Sequence, residues 1–216
     1  MNEAEGTSGD SGGFPGKNGV ELGRTGQKLE RLLTTAAGLM ASQGYGQTSI
    51  RQVARETGFS LAGMYYYFEN KEDLLFQIQH RTFAALLGVQ EGVVTTDEIP
   101  SEKLRQLVKN HLSYFTNHFN ELKVCTFELE SLQGDRYRTI AALRRRYFTC
   151  LVRVVAEIMG RAREQAASDP LVRRYSLFIF GMLNWIFMWF DPTRDEPVAQ
   201  LGDDMISLIL PGLRGR

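Results

Sequence analysis

The stretch Thr48–Leu75, TSIRQVARETGFSLAGMYYYFENKEDLL, contains two short helical patterns separated by a glycine, followed by the start of a third. In the first pattern, Ile50, Val53 and Ala54 recur at the i, i+3, i+4 spacing that gives a helix one apolar face. Gly58 stands where a helix commonly ends, because glycine adopts the left-handed conformation without a Cβ clash. A helix, a glycine turn and a second helix within about twenty residues are the helix-turn-helix pattern.

Polar residues suited to helix N-termini precede both helices of this pattern. Thr48 or Ser49 can cap the first helix, and Ser49 with Gln52 makes a capping box. Ser60 can cap the second helix, which we expect over Leu61–Phe68. These caps favour two short helices separated by a turn.

The second helix carries three consecutive tyrosines, Tyr65, Tyr66 and Tyr67, after the small residues Ala62 and Gly63. Three adjacent helical positions span about 200° of arc, so they cannot all face one core. At least one hydroxyl must therefore point outward, where it can bond a phosphate oxygen or a base edge. The alternative is a surface tyrosine cluster without a ligand. The neighbouring glycine turn and caps favour DNA binding.

The sequence resembles the TetR/AcrR transcriptional repressors over residues 29–75. The signature Gly-apolar-Ser, small residues, apolar-Tyr-x-Tyr-Phe, x-x-Lys-x-x-Leu-Leu is similar to GFSLAGMYYYFENKEDLL, and AAGLMASQGYGQTSIRQVARETG resembles the family's first two helices. Leu61 stands where a polar or basic residue is common, and Gly63 where Ser or Thr is common. The resemblance implies an N-terminal DNA-binding head and a C-terminal helical body that binds a ligand and dimerises.

Within the head, we expect Arg51 to read guanine, because its fork can take O6 and N7. Leu61 and Ala62 are candidates for contact with thymine methyl groups. Arg24 and Lys28 are further candidates for phosphate contacts. The full set of expected DNA-binding residues is Thr48, Ser49, Arg51, Gln52, Ser60, Leu61, Ala62, Gly63, Tyr65, Tyr66, Tyr67 and Lys71. Of these, Tyr65, Tyr67, Thr48 and Lys71 are expected on phosphates.

The composition of the 216 residues suits one or two domains with a buried core. The 25 basic and 25 acidic residues give no net charge in favour of nucleic acid, and the basic excess between residues 24 and 71 is modest. Cys125 and Cys150 lack CxxC spacing, so we expect a reduced cytoplasmic pair. The polar N-terminus indicates no signal peptide. The uncharged run 175–190 is shorter than the ~20 residues that a bilayer needs, so no membrane partner is expected.

We predict an all-α chain of about nine helices with three parts. Residues 1–23 are Gly-, Ser- and Asp-rich, so we expect a disordered tail. Residues 24–70 form the helix-turn-helix DNA-binding domain, and residues 71–216 the ligand-binding and dimerisation domain. The expected helices span about 27–43, 48–57, 61–68, 70–94, 101–117, 121–132, 137–164, 170–190 and 197–210.

The segment LFIFGMLNWIFMWF, residues 177–190, is apolar on every face and must be covered all round. The family resemblance implies a homodimer in which the last two helices of each chain form a four-helix bundle. The alternative is a central core helix of a monomer. Helix-turn-helix proteins usually read two half-sites, which favours the dimer.

GMLNWIFMWFDP resembles a segment of the acyl-CoA-responsive subset of the family, and the arginine run 144–146 followed by Tyr147 is similar to its long helix. Arginines can pair with CoA phosphates; the alternative is a solvated helix face. The aromatic residues are either an acyl tunnel or core. The expected effector-binding residues are His111, Phe115, Phe119, Phe127, Arg146, Tyr147, Asn184, Trp185 and Met188.

No metal site or cofactor is expected. His111 and His118 lie seven residues apart, but no third ligand stands beside them. No nucleophile–base pair or phosphate loop is present, so we do not expect an enzyme. The sequence predicts a cytoplasmic, dimeric repressor that binds a palindromic operator on double-stranded DNA and is released by a hydrophobic effector such as an acyl-CoA. Two alternatives stay open: the same fold sensing aromatic drugs and controlling an efflux gene, and a helical protein that binds small molecules but not DNA.

Overall fold

The structure is a computed structural model that describes residues 23–162, 166 and 168–215; the tail predicted to be disordered lies, up to residue 22, outside the described residues. The described residues form nine α-helices and no strand, which confirms the all-helical prediction. The helices are α1 Arg24–Gln43, α2 Ile50–Thr57, α3 Leu61–Tyr65, α4 Lys71–Val94, α5 Pro100–Phe115, α6 Phe119–Phe127, α7 Gly134–Ile158, α8 Pro170–Asn184 and α9 Val198–Arg214. Short 3₁₀ turns follow α6 at Leu129–Ser131 and α8 at Ile186–Met188.

The first three helices enclose a small core of their own. Helix α1 buries Leu32, Ala36 and Met40 and packs against α2, which buries Val53. Helix α2 also packs against α3, which buries Met64. Two further elements complete this core, because α1 also packs against α4 and α6. The head is therefore in contact with the body through both helices.

The body is a bundle in which the longest helices lie at the centre. Helix α4 packs along α7, and α5 packs between α4, α7 and α9. Helix α8 rests on α7 and α5. No helix of the described residues is long and apolar enough to cross a membrane.

Five helices end three or more residues away from the predicted residue, and one of them is α6, which stops at Phe127 instead of residue 132. Helix α3 stops at Tyr65 instead of residue 68. Helix α7 stops at Ile158, because Gly160 takes a positive φ of 64° and the Arg161 amide donates to the Ala156 carbonyl. This pairing is the Schellman ending of a helix. Helix α8 ends at Asn184 instead of residue 190, so that the following 3₁₀ turn changes the direction of the chain.

The last helix does not end at residue 210 as predicted but continues through Pro211 to Arg214. A proline inside a helix lacks the N–H that would bond the carbonyl four residues earlier, here that of Ser207. Ser207 is exposed, so water can satisfy this carbonyl. The helix resumes beyond the proline, where the Gly215 amide donates to the Pro211 carbonyl at 3.1 Å.

Candidate DNA-binding head and effector cavity

The turn between α2 and α3 has the geometry that its sequence predicts. The Gln52 amide donates to Ser49 Oγ at 3.1 Å at the start of α2, and the Gly63 amide donates to Ser60 Oγ at 3.0 Å at the start of α3. Gly58 has a φ of 71°, and the following Phe59 amide donates back to the Ala54 carbonyl. The capping box is half formed, because the Gln52 side chain bonds Gln43 instead of the Ser49 backbone.

The outer surface of the head presents two aromatic rings and a cation. Tyr65 is 55% exposed and Tyr66 is 79% exposed, whereas Tyr67 is partly buried with its ring edge-on to Phe59. Arg51 is exposed and makes no ion pair within the described residues. Ser49, Ser60, Ala62 and Lys28 are also exposed, and Gln52, Leu61 and Gly63 are partly buried.

Two residues that were expected to contact phosphate, Thr48 and Lys71, instead donate hydrogen bonds to backbone carbonyls of the protein. Thr48 is 1% exposed, and its hydroxyl donates to the Gly44 carbonyl at 3.0 Å, so it does not lie on the surface. Lys71 Nζ donates to the carbonyls of Tyr45 and Gly46 at 2.9 and 3.2 Å and lies over the Tyr45 ring. Both residues therefore hold the turn after α1. The side chain of Arg24 lies outside the described part of the chain.

A cavity of about 250 Å³ lies in the body between α4, α5, α6, α7 and α8. Four expected effector-binding residues line it: His111, Phe115, Tyr147 and Asn184. The other lining residues are Phe83, Leu122, Cys125, Thr126, Arg144, Arg145, Phe148 and Phe180. Aromatic rings and several polar groups therefore line one partly open cavity, as in small-molecule sites.

A buried hydrogen-bonded group forms one wall of this cavity. His111 Nδ1 lies 2.9 Å from the Tyr147 hydroxyl, and Gln90 Nε2 donates to the Leu107 carbonyl at 3.0 Å and to the Tyr147 oxygen at 3.4 Å. Burial lowers the pKa of His111 to about 3, against a smaller raising effect of the Leu183 carbonyl. The imidazole is therefore neutral at pH 7.

The remaining five expected effector residues lie elsewhere. Arg146 is exposed and pairs with Glu91 at 2.8 Å, and Phe119 packs against the core outside the cavity. Phe127, Trp185 and Met188 are exposed by 56%, 49% and 60%. The early end of α8 carries the last two out of the bundle, where the rings of Phe127 and Trp185 meet edge-on at 6.3 Å.

The arginines that line the cavity are Arg144 and Arg145, whereas the sequence prediction chose Arg146 from the same run. Arg144 is the less exposed of the two. The spacing of α7 contained the signal, because Ile140, Arg144, Tyr147 and Leu151 follow one another at steps of four, three and four. Such steps keep residues on one helix face. Arg146 precedes Tyr147 directly and is therefore turned away from that face.

An exposed apolar surface covers the outer side of α8 and α9. Phe178, Trp189 and Leu208 are exposed by 59%, 56% and 73%, and Leu177 by 44%. Two grooves of about 220 and 540 Å³ run between these helices. Leu177, Phe178 and Trp189 belong to the segment that was expected to be covered on every side. Ile179, Leu183, Ile186 and Phe190 of the same segment are buried within the protein.

Comparison with known proteins identifies both parts of the chain. Residues 32–78 match the family model "Bacterial regulatory proteins, tetR family" and residues 97–213 match "Tetracyclin repressor-like, C-terminal domain". A fatty acid metabolism regulator protein of Bacillus subtilis (strain 168) is 21% identical over 88% of this chain and 97% of its own length.

Solved structures agree with this assignment. A TetR-family transcriptional regulator from Bordetella parapertussis 12822 has a TM-score of 0.77 at 24% identity, over 84% of this chain and 93% of its own. AibR, solved in complex with isovaleryl coenzyme A and operator DNA, has a TM-score of 0.71 at 26% identity, over 85% of this chain and 98% of its own. The two matched regions together cover most of the described helices, and the chain belongs to the TetR family of bacterial transcriptional regulators.

Proposed function

We propose that the protein is a dimeric repressor that reads an operator with the helix-turn-helix head and leaves it when a CoA thioester occupies the body. The observation that carries DNA binding is the exposure of Tyr65 and Tyr66 beside a capped, rigid turn, with Arg51 free of ion pairs within the described residues. Neighbouring exposed aromatic rings form an apolar patch, and such patches mark interaction sites. Phosphate contacts by tyrosine hydroxyls position the head, and Arg51 supplies sequence selectivity.

The proposed dimer uses the exposed surface of α8 and α9. Its large apolar side chains would be removed from water if a second copy packed against them. Self-association through a two-fold axis brings the same surface of both chains together. It also provides two heads, as needed for half-sites one helical turn apart, about 34–36 Å.

The proposed effector occupies the cavity of about 250 Å³. This volume is smaller than the roughly 300–1,000 Å³ of typical ligand pockets, so it suits an acyl group better than a whole CoA molecule. The relatives point to the same chemistry: one is a fatty acid metabolism regulator, and AibR was solved with isovaleryl coenzyme A. We infer that a CoA thioester inserts its acyl end and leaves the nucleotide at the mouth. Such a protein acts in the cytoplasm and performs no catalysis.

A gel-shift assay on the DNA upstream of the protein's own gene tests the DNA-binding part. We expect a discrete shift that competitor DNA of random sequence does not abolish. Adding acyl-CoA thioesters of increasing length to the shifted complex tests the effector part. Release by a thioester but not by free CoA supports the proposal. Release by aromatic drugs alone would contradict the thioester, and the absence of any shift would contradict the repressor.

A further inference from the structure

Arg144 lies in the wall of the cavity without an acidic partner. No carboxylate of the described residues stands within ion-pair distance of its guanidinium. One of its five N–H donors has a protein acceptor, the Cys125 carbonyl, and its cationic carbon lies 5.9 Å from the centre of the Phe83 ring. Burial lowers the pKa of Arg144, although arginine keeps its proton. Glu130 offsets part of this charge electrostatically, but it stands beyond ion-pair distance. The cavity therefore contains a positive charge that no direct ion pair within the described residues neutralises.

The other arginines nearby differ in this respect. Arg146 is exposed and forms three hydrogen-bond contacts with the Glu91 carboxylate. Arg145 lines the cavity but is exposed to solvent. A partly buried charge without a partner costs free energy that an anionic ligand can recover, whereas an exposed ion pair offers little. Arg144 is thus the cation with the most to gain from a bound anion.

The acceptor that Arg144 uses belongs to the last turn of α6. Carbonyls in the last turn of a helix have no partner within the helix, so the guanidinium acts as a cap for this end. Cys125 and Thr126 also line the cavity. The end of α6 is therefore held by a side chain that a ligand would contact.

The residue that follows α6 connects it to the head. The Tyr45 amide, in the turn between α1 and α2, donates to the Glu128 carboxylate at 3.1 Å. The Ser131 hydroxyl donates to the same carboxylate at 2.8 Å, and Gln79 of α4 donates to the Glu128 carbonyl at 3.1 Å. The end of α6 thus contacts both the head and the helix that connects the head to the body.

We propose that Arg144 binds an anionic oxygen group of the effector, and that this contact competes with its bond to the Cys125 carbonyl. The ligand displaces the guanidinium from the Cys125 carbonyl at the end of α6. The last turn of α6 then becomes less ordered, and the hydrogen bond from the Tyr45 amide to the Glu128 carboxylate weakens. The anion is a carboxylate or a phosphate. This inference rests on the proposed effector site in the body but not on the identity of the acyl chain. Arg144 is then the residue that selects an anionic effector and that couples effector binding to the head.

The test is titration calorimetry of the full-length protein with octanoate, octanoyl-CoA, free CoA and inorganic pyrophosphate. We expect at least one probe to bind, and Arg144→Gln to weaken that binding about tenfold or more, since a charge-assisted pair is lost. Arg146→Gln is the matched control and should stay within about twofold, because an exposed pair contributes little. Arg144→Lys keeps the charge, so it gives a second reading if the glutamine variant does not fold.

The probes separate the two sources of the anion. Binding of octanoate assigns a carboxylate, and binding of only the CoA-containing probes or pyrophosphate assigns a phosphate. If no probe binds the unaltered protein, or if Arg144→Gln and Arg144→Lys both bind as tightly as the unaltered protein, the proposal is overturned. Gel shifts without ligand test DNA binding separately from anion binding. A protein that binds the anion through Arg144 but does not shift the operator would overturn the proposed function alone.

Amide hydrogen exchange provides a second readout, and its dependence on the bound probe is the part that a merely structural role of Arg144 would not produce. We expect the Tyr45 amide to exchange faster when the bound probe is present, and Arg144→Gln to show the faster rate without a probe. Unchanged protection of Tyr45 in both experiments would refute the connection to the head.

Discussion

The hydroxyl oxygen of Tyr147 lies 2.9 Å from Nδ1 of His111, in the wall between the cavity and the core of the body. Burial lowers the His111 pKa from 6.5 to about 3. Between these two values His111 is protonated in the unfolded chain but neutral in the folded chain. The free energy of unfolding therefore falls as the pH drops from 6.5 towards 3.

This linkage predicts a specific acid sensitivity. Between pH 7 and pH 5 the unaltered protein should lose about 2 kcal/mol of unfolding free energy through this group alone. His111→Phe should remove that part of the pH dependence, whatever its effect on stability at pH 7. Urea unfolding at both pH values measures the difference, and identical pH slopes for the two proteins would contradict the neutral histidine.

Arg51→Ala should lower operator affinity by about 1–3 kcal/mol, because a bidentate contact with guanine is lost. Affinity for random DNA should fall less. Arg55→Ala is the control, since Arg55 is exposed on the same helix and already pairs with Glu56. Fluorescence anisotropy on both DNAs gives the two affinities. Equal losses on both would mean that Arg51 contacts phosphate only.

Leu208→Glu should convert the protein into a monomer, because a carboxylate would be buried in the proposed interface of α8 and α9. Ile99→Glu is the matched control: Ile99 is 66% exposed and lies before α5, away from that surface. Sedimentation equilibrium should give a dimer for the unaltered protein and the control. A monomer in all three samples would contradict a dimer through α8 and α9.

Both cysteines should be unreactive in the folded protein. Cys125 and Cys150 are free and buried, and burial raises their pKa values to about 12 and about 11. The thiolate is the reactive form, so little of it exists at pH 8. A disulfide reagent should titrate two thiols only after denaturation. Rapid reaction of the native protein would show that one thiol is reached by solvent, and Cys125→Ala would assign it.

The head could be predicted in detail because its determinants are local. Ser49, Gly58 and Ser60 act on backbone groups within a few residues, and the structure has each in the predicted role. The side chain of Thr48 could not be placed in this way, because the same hydroxyl suits a surface phosphate and a buried carbonyl. Lys71 likewise meets carbonyls 25 and 26 residues away in sequence.

The cavity was predicted only in part because its walls come from five helices. Periodicity assigns a face to His111 and Tyr147, but it does not reveal where α8 ends. Trp185 and Met188 were expected in the cavity because α8 was extended to residue 190. Arg144 was recoverable from the spacing of α7 alone, as its position between Ile140 and Tyr147 indicates.

The packing of α1 against α6 limits how the head can be moved between proteins. A fragment cut after residue 70 would lose α4 and α6, and with them two walls around Met40 and its neighbours. A chimera that joins such a head to a different body must also carry an α6 whose surface fits α1. It also needs an acid at the position of Glu128 that can accept from the turn between α1 and α2. Exchange of operator specificity by domain shuffling is therefore restricted to bodies with a compatible α6.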